Sequence, residues 1–281
     1  MGTESGYSIT FSECVENHVG MQKLGEKAEQ GLQYKHLKRA MDKFTTEGYE
    51  CQMIDIKEAL PRTLTDEDKQ DIDDAWILVV RKGVEAFGTT EKKLRKEMDR
   101  FDVDTQAFMK GRVVNKHARH NLCFADEFQE PDFEHGKGTI IPFSDLPQLS
   151  MIRDKIHDYI GSKGRDLYAE LNKYYDMKQC YIGYHIDGER KIVVCARLGA
   201  DYPIYFQWYL NREPVGRTLQ IDLDMGDMYI MSEAAAGISW FRRDVYLLRH
   251  AAASADCYHL IEPKPKKGQG KVIRPKKLIY Q

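Results

Sequence analysis

Short apolar runs separated by turn-forming residues dominate the chain from residue 180 onward. Their spacing, roughly 8–12 residues, is typical of strands in a β-sandwich or barrel. The runs are CYIGYHID (180–187), KIVVCARLG (191–199), PIYFQWYL (203–210), RTLQIDLD (217–224), DMYIMSE (227–233), DVYLLRHAAA (244–253) and CYHLIE (257–262). We therefore predict seven or eight strands in this part of the chain.

The part before residue 180 has a different pattern and is predicted to be mainly helical. Stretches rich in Glu, Lys, Gln and Leu predict helices at 14–47, at 89–101 after Thr90 as the N-cap, and at 148–175 as one long helix or two short ones. Apolar stretches predict strands at 48–60 and 75–87, and the acidic stretch 65–74 predicts a turn or a short helix.

Together these patterns predict an α+β fold, in which a helical N-terminal half packs around a double-stranded β-helix (jelly-roll) core. We expect three regions. Residues 1–110 form a helical or mixed region integrated with the core, 111–262 form the jelly-roll core, which is strand-rich from 180, and 263–281 form a basic tail. With seven basic residues and one acidic residue in 262–281, against a net charge of −2 for the whole chain, the tail suits either phosphate binding or plain solvation.

Composition excludes several classes of protein. Mean hydropathy is −0.57 and no apolar stretch approaches the ~18 residues of a membrane span. The six cysteines form no CxxC pair, and the first residues contain no apolar run typical of a secretory signal. The G-x-S-x-G, P-loop and dinucleotide-binding motifs are absent. We expect an intracellular protein, nuclear or cytoplasmic, that is monomeric and does not bind membranes.

His185 and Asp187 are the first candidates for chemistry. They end the first strand of the β-rich part, where residues i and i+2 share one face. One imidazole and one carboxylate can then approach the same cation. With a second histidine from a distant strand they would form the 2-His-1-carboxylate triad that binds Fe(II) and leaves positions open for a cosubstrate and O2.

Three motifs around this pair resemble those of the AlkB-type dioxygenases: NKYY (172–175), IGYHIDGE (182–189) and GDMYIMS (226–232). The resemblance covers about 170–250 and implies a jelly-roll core, Fe(II), O2 and 2-oxoglutarate, with a methylated base as the usual substrate. It also implies that Asn172 and Tyr174, or Tyr175 in place of Tyr174, hydrogen-bond the cosubstrate.

The third metal ligand is harder to identify from the sequence, because Arg242 stands where the family has its distal histidine. His250 is the nearest histidine downstream, and strand alternation makes a choice necessary. If His250 points inward, Arg249 points away. If Arg243 and Arg249 point inward, as an arginine pair of the family would, the metal lacks a third protein ligand. We expect His250 to be that ligand.

With Arg249 outward, the distal carboxylate of 2-oxoglutarate needs another cation, and Arg197 and Arg274 are the two candidates. If neither serves, another reductant is plausible. The sequences HIDGER (185–190), RLG (197–199) and RHAA (249–252) resemble those of an algal TET-related enzyme and its viral relatives. The algal enzyme modifies 5-methylcytosine with ascorbate. Ascorbate is therefore an alternative cosubstrate.

Substrate contacts are predicted from polar and aromatic residues near the core. The strip 115–121 is crowded with polar groups and suits either a base- or phosphate-contacting lid or a solvated loop, and aromatic residues after 204 suit either the barrel mouth or the core. The candidates for substrate binding are Asn115, Arg119, Asn121 and Trp208.

Three functions remain open at this point. The first is an Fe(II)-dependent dioxygenase, using 2-oxoglutarate, that oxidises a base or base methyl group in DNA or RNA. The second is a hydroxylase of a free amino acid, a nucleotide or a protein side chain. The third is a non-catalytic, cupin-like binding module in which His185 and Asp187 are coincidental. The basic tail favours the first, and the acidic remainder of the chain favours the second.

Overall fold

Strands and helices were located in a computed structural model, which describes residues 5–237 and 244–264. The strands of this described part are β1 (Gly6–Ser12), β2 (Cys14–Glu16), β3 (Lys23–Gly25), β4 (Cys51–Asp55), β5 (Trp76–Val80), β6 (Gln106–Met109), β7 (Arg112–Asn115), β8 (His120–Ala125), β9 (Ile140–Pro142), β10 (Tyr168–Tyr174), β11 (Tyr181–His185), β12 (Val193–Gly199), β13 (Ile204–Leu210), β14 (Glu213–Ile221), β15 (Met228–Met231) and β16 (Leu247–Ala253).

Helices are fewer and mostly short. The α-helices are α1 (Tyr34–Thr46), α2 (Asp66–Gln70), α3 (Glu91–Met98), α4 (Pro147–Ile160), α5 (Glu233–Ala236) and α6 (Tyr258–Ile261). Single 3₁₀ turns occur at Ile56–Ala59, Gly83–Phe87, Phe133–His135, Phe143–Asp145 and Gly161–Gly164. None of these described helices is long and apolar enough to cross a membrane.

Two sheets account for most of the strands. The large sheet has eight strands in the order β4-β5-β15-β12-β1-β10-β8-β9, and the small sheet has four in the order β11-β16-β13-β14. Every pairing in them is antiparallel except β8 with β9. Separate two-stranded sheets join β2 to β3 and β6 to β7. The fold is therefore a mixed α+β fold built mainly from large antiparallel sheets.

The large sheet is buried on both faces, and β12 shows why. Successive side chains of a strand point to opposite faces. Val194 and Ala196 join a core that contains the apolar faces of α1, α3 and α4. Val193 and Cys195 join a second core with Phe206 and other residues of the small sheet. Helices thus cover one face of the large sheet, and the small sheet covers the other.

The prediction of a helical N-terminal half is wrong. Only 34–46 of the predicted helix 14–47 is α-helical, and the segment before it contains β2 and β3. In the predicted helix 148–175, α4 is followed by the strand β10. The first 142 residues instead contribute β1, β4, β5, β8 and β9 to the large sheet. Local helix propensity is weak beside the burial that these strands gain from distant partners.

Most predictions beyond residue 180 are confirmed, since β11, β12, β13, β15 and β16 lie within the predicted runs. β14 overlaps its predicted run, 217–224, but begins four residues earlier, at Glu213. The exception is CYHLIE (257–262), which contains α6. The helix at 89–101 is also confirmed as α3, and the Thr90 side chain caps it by accepting a hydrogen bond from the Lys93 N–H. Elements whose position follows from the local sequence pattern are thus predicted well.

Candidate metal centre

Two neighbouring strands of the small sheet bring the candidate ligands together. β11 and β16 pair antiparallel, and His185 lies opposite His250, with a register shift between Ile182 and His185. Asp187 lies just beyond the end of β11, where its N–H donates to the Ala236 carbonyl at 2.9 Å. A bulge of this kind re-aims side chains at the edge of a site.

The three side chains converge on one point. Asp187 Oδ1 lies 3.5 Å from His185 Nε2 and 3.6 Å from His250 Nε2. The two imidazole rings have centroids 4.3 Å apart and planes inclined by 62°. One ligand atom from each residue lies within 4.8 Å of the other two. Two imidazole nitrogens and one carboxylate suit a first-row divalent ion such as Fe(II).

Hydrogen bonding orients His185 for this role. Its Nδ1 lies 2.8 Å from the Gly183 carbonyl oxygen, which accepts only if Nδ1 carries the proton. The Nε2 lone pair is then directed at Asp187, and a carbonyl behind a ligating histidine is the usual arrangement at metal sites. Burial, with His250 nearby, lowers the pKa of His185, so the ring is neutral at neutral pH.

Asp187 is held as a carboxylate. Burial alone would raise its pKa, but the adjacent His250 and His185 outweigh burial and bring the pKa well below its usual range. His250 is also buried, and its Nδ1 has no hydrogen-bond partner among the described residues. Neutral imidazole and ionised carboxylate are the forms that bind metal. The residues present could therefore hold a divalent metal ion.

Successive side chains of β16 point to opposite faces, and the choice of His250 as a ligand requires that His250, not Arg249, face the cavity. His250 lines the cavity beside Asp187. Arg249 points elsewhere, with its guanidinium 4.3 Å from the centre of the Tyr209 ring. Arg242 and Arg243 lie outside the described residues, as does Arg274.

A cavity of about 590 Å³ opens beside the His185–Asp187–His250 cluster. Its wall includes three further predicted site residues on the large sheet, Asn172, Tyr174 and Arg197, and one from the polar strip, Arg119. Tyr175, the alternative to Tyr174, does not line it; its hydroxyl donates to the His117 carbonyl at 2.7 Å.

Arg197 is the most unusual of these residues because it is a buried cation, only 3% exposed. Its guanidinium carbon lies 5.9 Å from the ring centre of Tyr174 and 5.0 Å from that of Tyr202. Nη2 donates to the Tyr202 carbonyl at 2.9 Å, whereas the buried Nε has no partner in the described part of the chain. A buried guanidinium with spare donors is suited to an incoming carboxylate.

Asn172 joins a polar network along the cavity wall. Its Oδ1 accepts from Arg119 Nε at 2.5 Å and from Asn121 Nδ2 at 2.6 Å. Its Nδ2 donates to Glu170 at 3.2 Å. Residues predicted separately for cosubstrate and substrate binding thus form one connected group, which extends through Glu170 to Arg190.

The structure does not place Asn115, Asn121 or Trp208 on the wall of this cavity. Asn121 is buried and contacts the wall residue Asn172 through its hydrogen bond. Asn115 is exposed at the end of β7, where its Oδ1 accepts a long hydrogen bond of 3.4 Å from Gln106. Trp208 is buried between the two sheets, and its Nε1 donates to the Ile56 carbonyl at 3.0 Å. Trp208 therefore packs in the core between the sheets and does not line the cavity.

Glu16 and Arg190 are among the charged residues of the cavity wall that were not predicted from the sequence. Arg190 is 6% exposed and forms ion pairs with Glu170 and Glu189. Glu16 is 7% exposed, and its Oε2 lacks a hydrogen-bond partner among the described residues. Burial and the nearby Glu189 raise the pKa of Glu16 to about 7. The only sequence signal was the adjacency of Glu189 and Arg190 to the His185–Asp187 motif.

We expect Arg190→Met to destabilise the protein severely, because it would leave the buried Glu170 and the partly buried Glu189 without their shared cation. Breaking a buried ion pair from one side costs about 3–5 kcal/mol. Urea unfolding measures the change, and Arg62→Met, at an exposed arginine, is the matched control. A loss no larger than that of Arg62→Met would show that the carboxylates do not depend on Arg190.

No known family profile matches the sequence. A curated protein of Acanthamoeba polyphaga mimivirus, described as uncharacterized, is 38% identical over 244 residues, a match that covers 87% of this chain and 94% of the viral protein. Identity at this level across nearly the whole of both chains indicates common descent. The chain belongs to the same family as this uncharacterized mimivirus protein.

Proposed function

We propose that the protein is an Fe(II)-dependent dioxygenase that uses 2-oxoglutarate and O2 to hydroxylate a base or a base methyl group of nucleic acid. The observation that carries the proposal is the convergence of His185, Asp187 and His250 on a cavity that also contains Arg197. A metal triad and a buried cation with spare donors are the two elements that such a cosubstrate requires.

The sheet topology supports the interpretation of the core as a double-stranded β-helix. From β11 to β16 the chain passes between the small and the large sheet in the order small, large, small, small, large, small. Such alternation between two packed antiparallel sheets is typical of jelly rolls. On this interpretation β1, which lies between β12 and β10, completes the large sheet.

Each residue of the site has a role on this proposal. His185 Nε2, the Asp187 carboxylate and His250 Nε2 hold the metal, and the Gly183 carbonyl fixes the His185 ring. Arg197 pairs with the distal carboxylate of 2-oxoglutarate, and the rings of Tyr174 and Tyr202 exclude water from that pair. When bound, Fe(II) with the cosubstrate supplies the oxidation of a substrate C–H bond by O2.

Anaerobic titration tests the proposal directly. Fe(II) is added to the metal-free protein, and 2-oxoglutarate follows. We expect one Fe(II) per chain and then a weak visible charge-transfer band when the cosubstrate is added. Failure to bind Fe(II) would reject the dioxygenase and favour a non-catalytic binding module. Iron binding without the band would leave a metal site that uses another cosubstrate, such as ascorbate.

The nucleic-acid substrate is supported by charge rather than by the site. Residues 264–277 contain seven basic side chains, and 265–281 lie outside the described residues. We expect deletion of 264–281 to flatten the salt dependence of DNA or RNA binding, because each phosphate contact contributes a log–log slope near −0.7 to −0.9. Turnover of a free nucleoside is expected to remain. Binding isotherms between 50 and 200 mM salt, roughly the range over which such contacts weaken, measure the slope.

The same deletion separates the alternatives. Unchanged affinity and slope would remove the main support for a nucleic-acid substrate and favour a hydroxylase of a small molecule or a protein side chain. Loss of nucleoside turnover would instead indicate that Arg274 anchors the cosubstrate. Arg274→Ala alone then decides, since it raises the cosubstrate requirement only if Arg274 is the anchor.

A further inference from the structure

One short segment near the N-terminus contributes to the wall of the cavity from outside the large and small sheets. It comprises the end of β2 and the residues after it, 16–19, all of which line the cavity. Glu16 lies inside, 7% exposed, whereas Val19 is 76% exposed. A buried carboxyl group and an exposed apolar side chain therefore lie three residues apart on the same cavity.

Glu16 differs from the other glutamates of this wall. Glu170 and Glu189 share the guanidinium of Arg190, and Glu170 also accepts from Asn172. The Oε2 atom of Glu16 is buried and has no hydrogen-bond partner in the described part of the chain. Buried polar groups are nearly always hydrogen-bonded, so an unpartnered one beside a cavity calls for a partner from the ligand.

The surroundings determine what kind of partner fits. Glu189 and Glu170 act on Glu16 as like charges, and Lys23 and Arg190 act in the opposite sense, with Arg190 already engaged by two carboxylates. A carboxylate oxygen attracts N–H donors and repels carbonyl and phosphate oxygens. Val19 at the exposed edge offers an apolar contact to the face of a flat ring.

We propose that Glu16 is a specificity-determining residue, which accepts a hydrogen bond from an amino group on the ring of the substrate and so disfavours rings that carry a carbonyl oxygen there. Among nucleobases, cytosine and adenine offer such an amino group, whereas uracil and hypoxanthine present an oxygen in its place. This inference rests on the proposed function, because it takes the substrate to enter the cavity beside the metal cluster.

Binding of nucleoside pairs to the metal-free, full-length protein at pH 8 tests the inference without any turnover. Equilibrium dialysis compares cytidine with uridine, and adenosine with inosine. We expect the amino-bearing member of each pair to bind about tenfold more tightly, the effect of one hydrogen bond to a charged acceptor. Glu16→Gln, whose amide both donates and accepts, is expected to bring each ratio close to one.

Two further variants keep the test decisive. Glu16→Asp retains the carboxylate on a side chain that is one methylene shorter. We therefore expect binding ratios between those of the wild type and Glu16→Gln. Glu26→Gln, at an exposed glutamate after β3, is the matched control and is expected to keep the wild-type ratio. Equal binding within each pair, no binding of any nucleoside, or a ratio unchanged in Glu16→Gln would each overturn the inference. Because no iron is present, these outcomes are independent of whether Fe(II) binds at His185, Asp187 and His250.

Discussion

Alanine at His185 or at Asp187 is expected to abolish stoichiometric Fe(II) binding and all iron-dependent turnover, while the protein still folds. Each residue supplies one of three ligand atoms that lie within 4.8 Å of one another, and a site with two protein ligands holds Fe(II) poorly. Thermal stability of the metal-free protein is expected to change little, because two large packed cores, not the metal, hold the sheets together. Iron content after desalting and a thermal melt measure the two effects.

His250→Ala extends the same test to the third ligand. It is expected to lose iron as completely as the other two variants, whereas His259→Ala, at an exposed histidine in α6, is the control and keeps it. Full iron occupancy in the His185 or Asp187 variant would end the assignment of the site. Full occupancy in the His250 variant alone would show that His250 is not the third ligand.

The candidate ligands could be predicted from sequence because their placement depends on the local geometry of a strand. His185 and Asp187 are two residues apart at a strand end, and alternation along β16 links the direction of His250 to that of Arg249. The structure has the same arrangement, with His250 in the cavity and Arg249 over Tyr209. Local periodicity therefore carries information about which residues can meet.

The N-terminal half could not be predicted in this way, because its strands are determined by partners far away in sequence. β1 pairs with β10 on one side and β12 on the other, more than 150 residues distant. The β10 sequence, YAELNKY, contains good helix formers, yet between β1 and β8 it is a buried strand. Tertiary packing outweighs a propensity difference of less than ~1 kcal/mol per residue.

Glu16 escaped prediction for the same reason. The sequence pattern of 14–47 predicts a helix, and a helix at this position has no expected contact with the site near 187. The connection exists only because β2 follows β1, and β1 lies beside β10 and Glu170 in the large sheet. A cavity wall that is assembled from three distant segments has no signature in any one of them.

Arg197→Met is expected to weaken the binding of 2-oxoglutarate strongly while leaving iron in place. Removal of a buried guanidinium that pairs with a ligand carboxylate costs 2–5 kcal/mol of binding, so the concentration of 2-oxoglutarate that gives half of the charge-transfer band is expected to rise about 100-fold. The Fe(II) stoichiometry is expected to stay at the wild-type value, because Arg197 is not one of the three ligands. Arg249→Met is the control. Arg249 points away from the cavity and lies over the Tyr209 ring, so its replacement is expected to leave the titration unchanged.

Stability of the metal-free Arg197 variant distinguishes a ligand-binding role from a structural one. In the described part of the chain Arg197 forms no ion pair, and its Nε lacks a partner, so its burial is unfavourable until an anion arrives. Methionine, of similar length and without charge, is therefore expected to leave the free energy of unfolding unchanged or to increase it. A large loss of stability with a normal 2-oxoglutarate titration would assign Arg197 to the core. If the band is absent in the wild type and ascorbate-driven turnover survives in Arg197→Met, Arg197 serves neither cosubstrate.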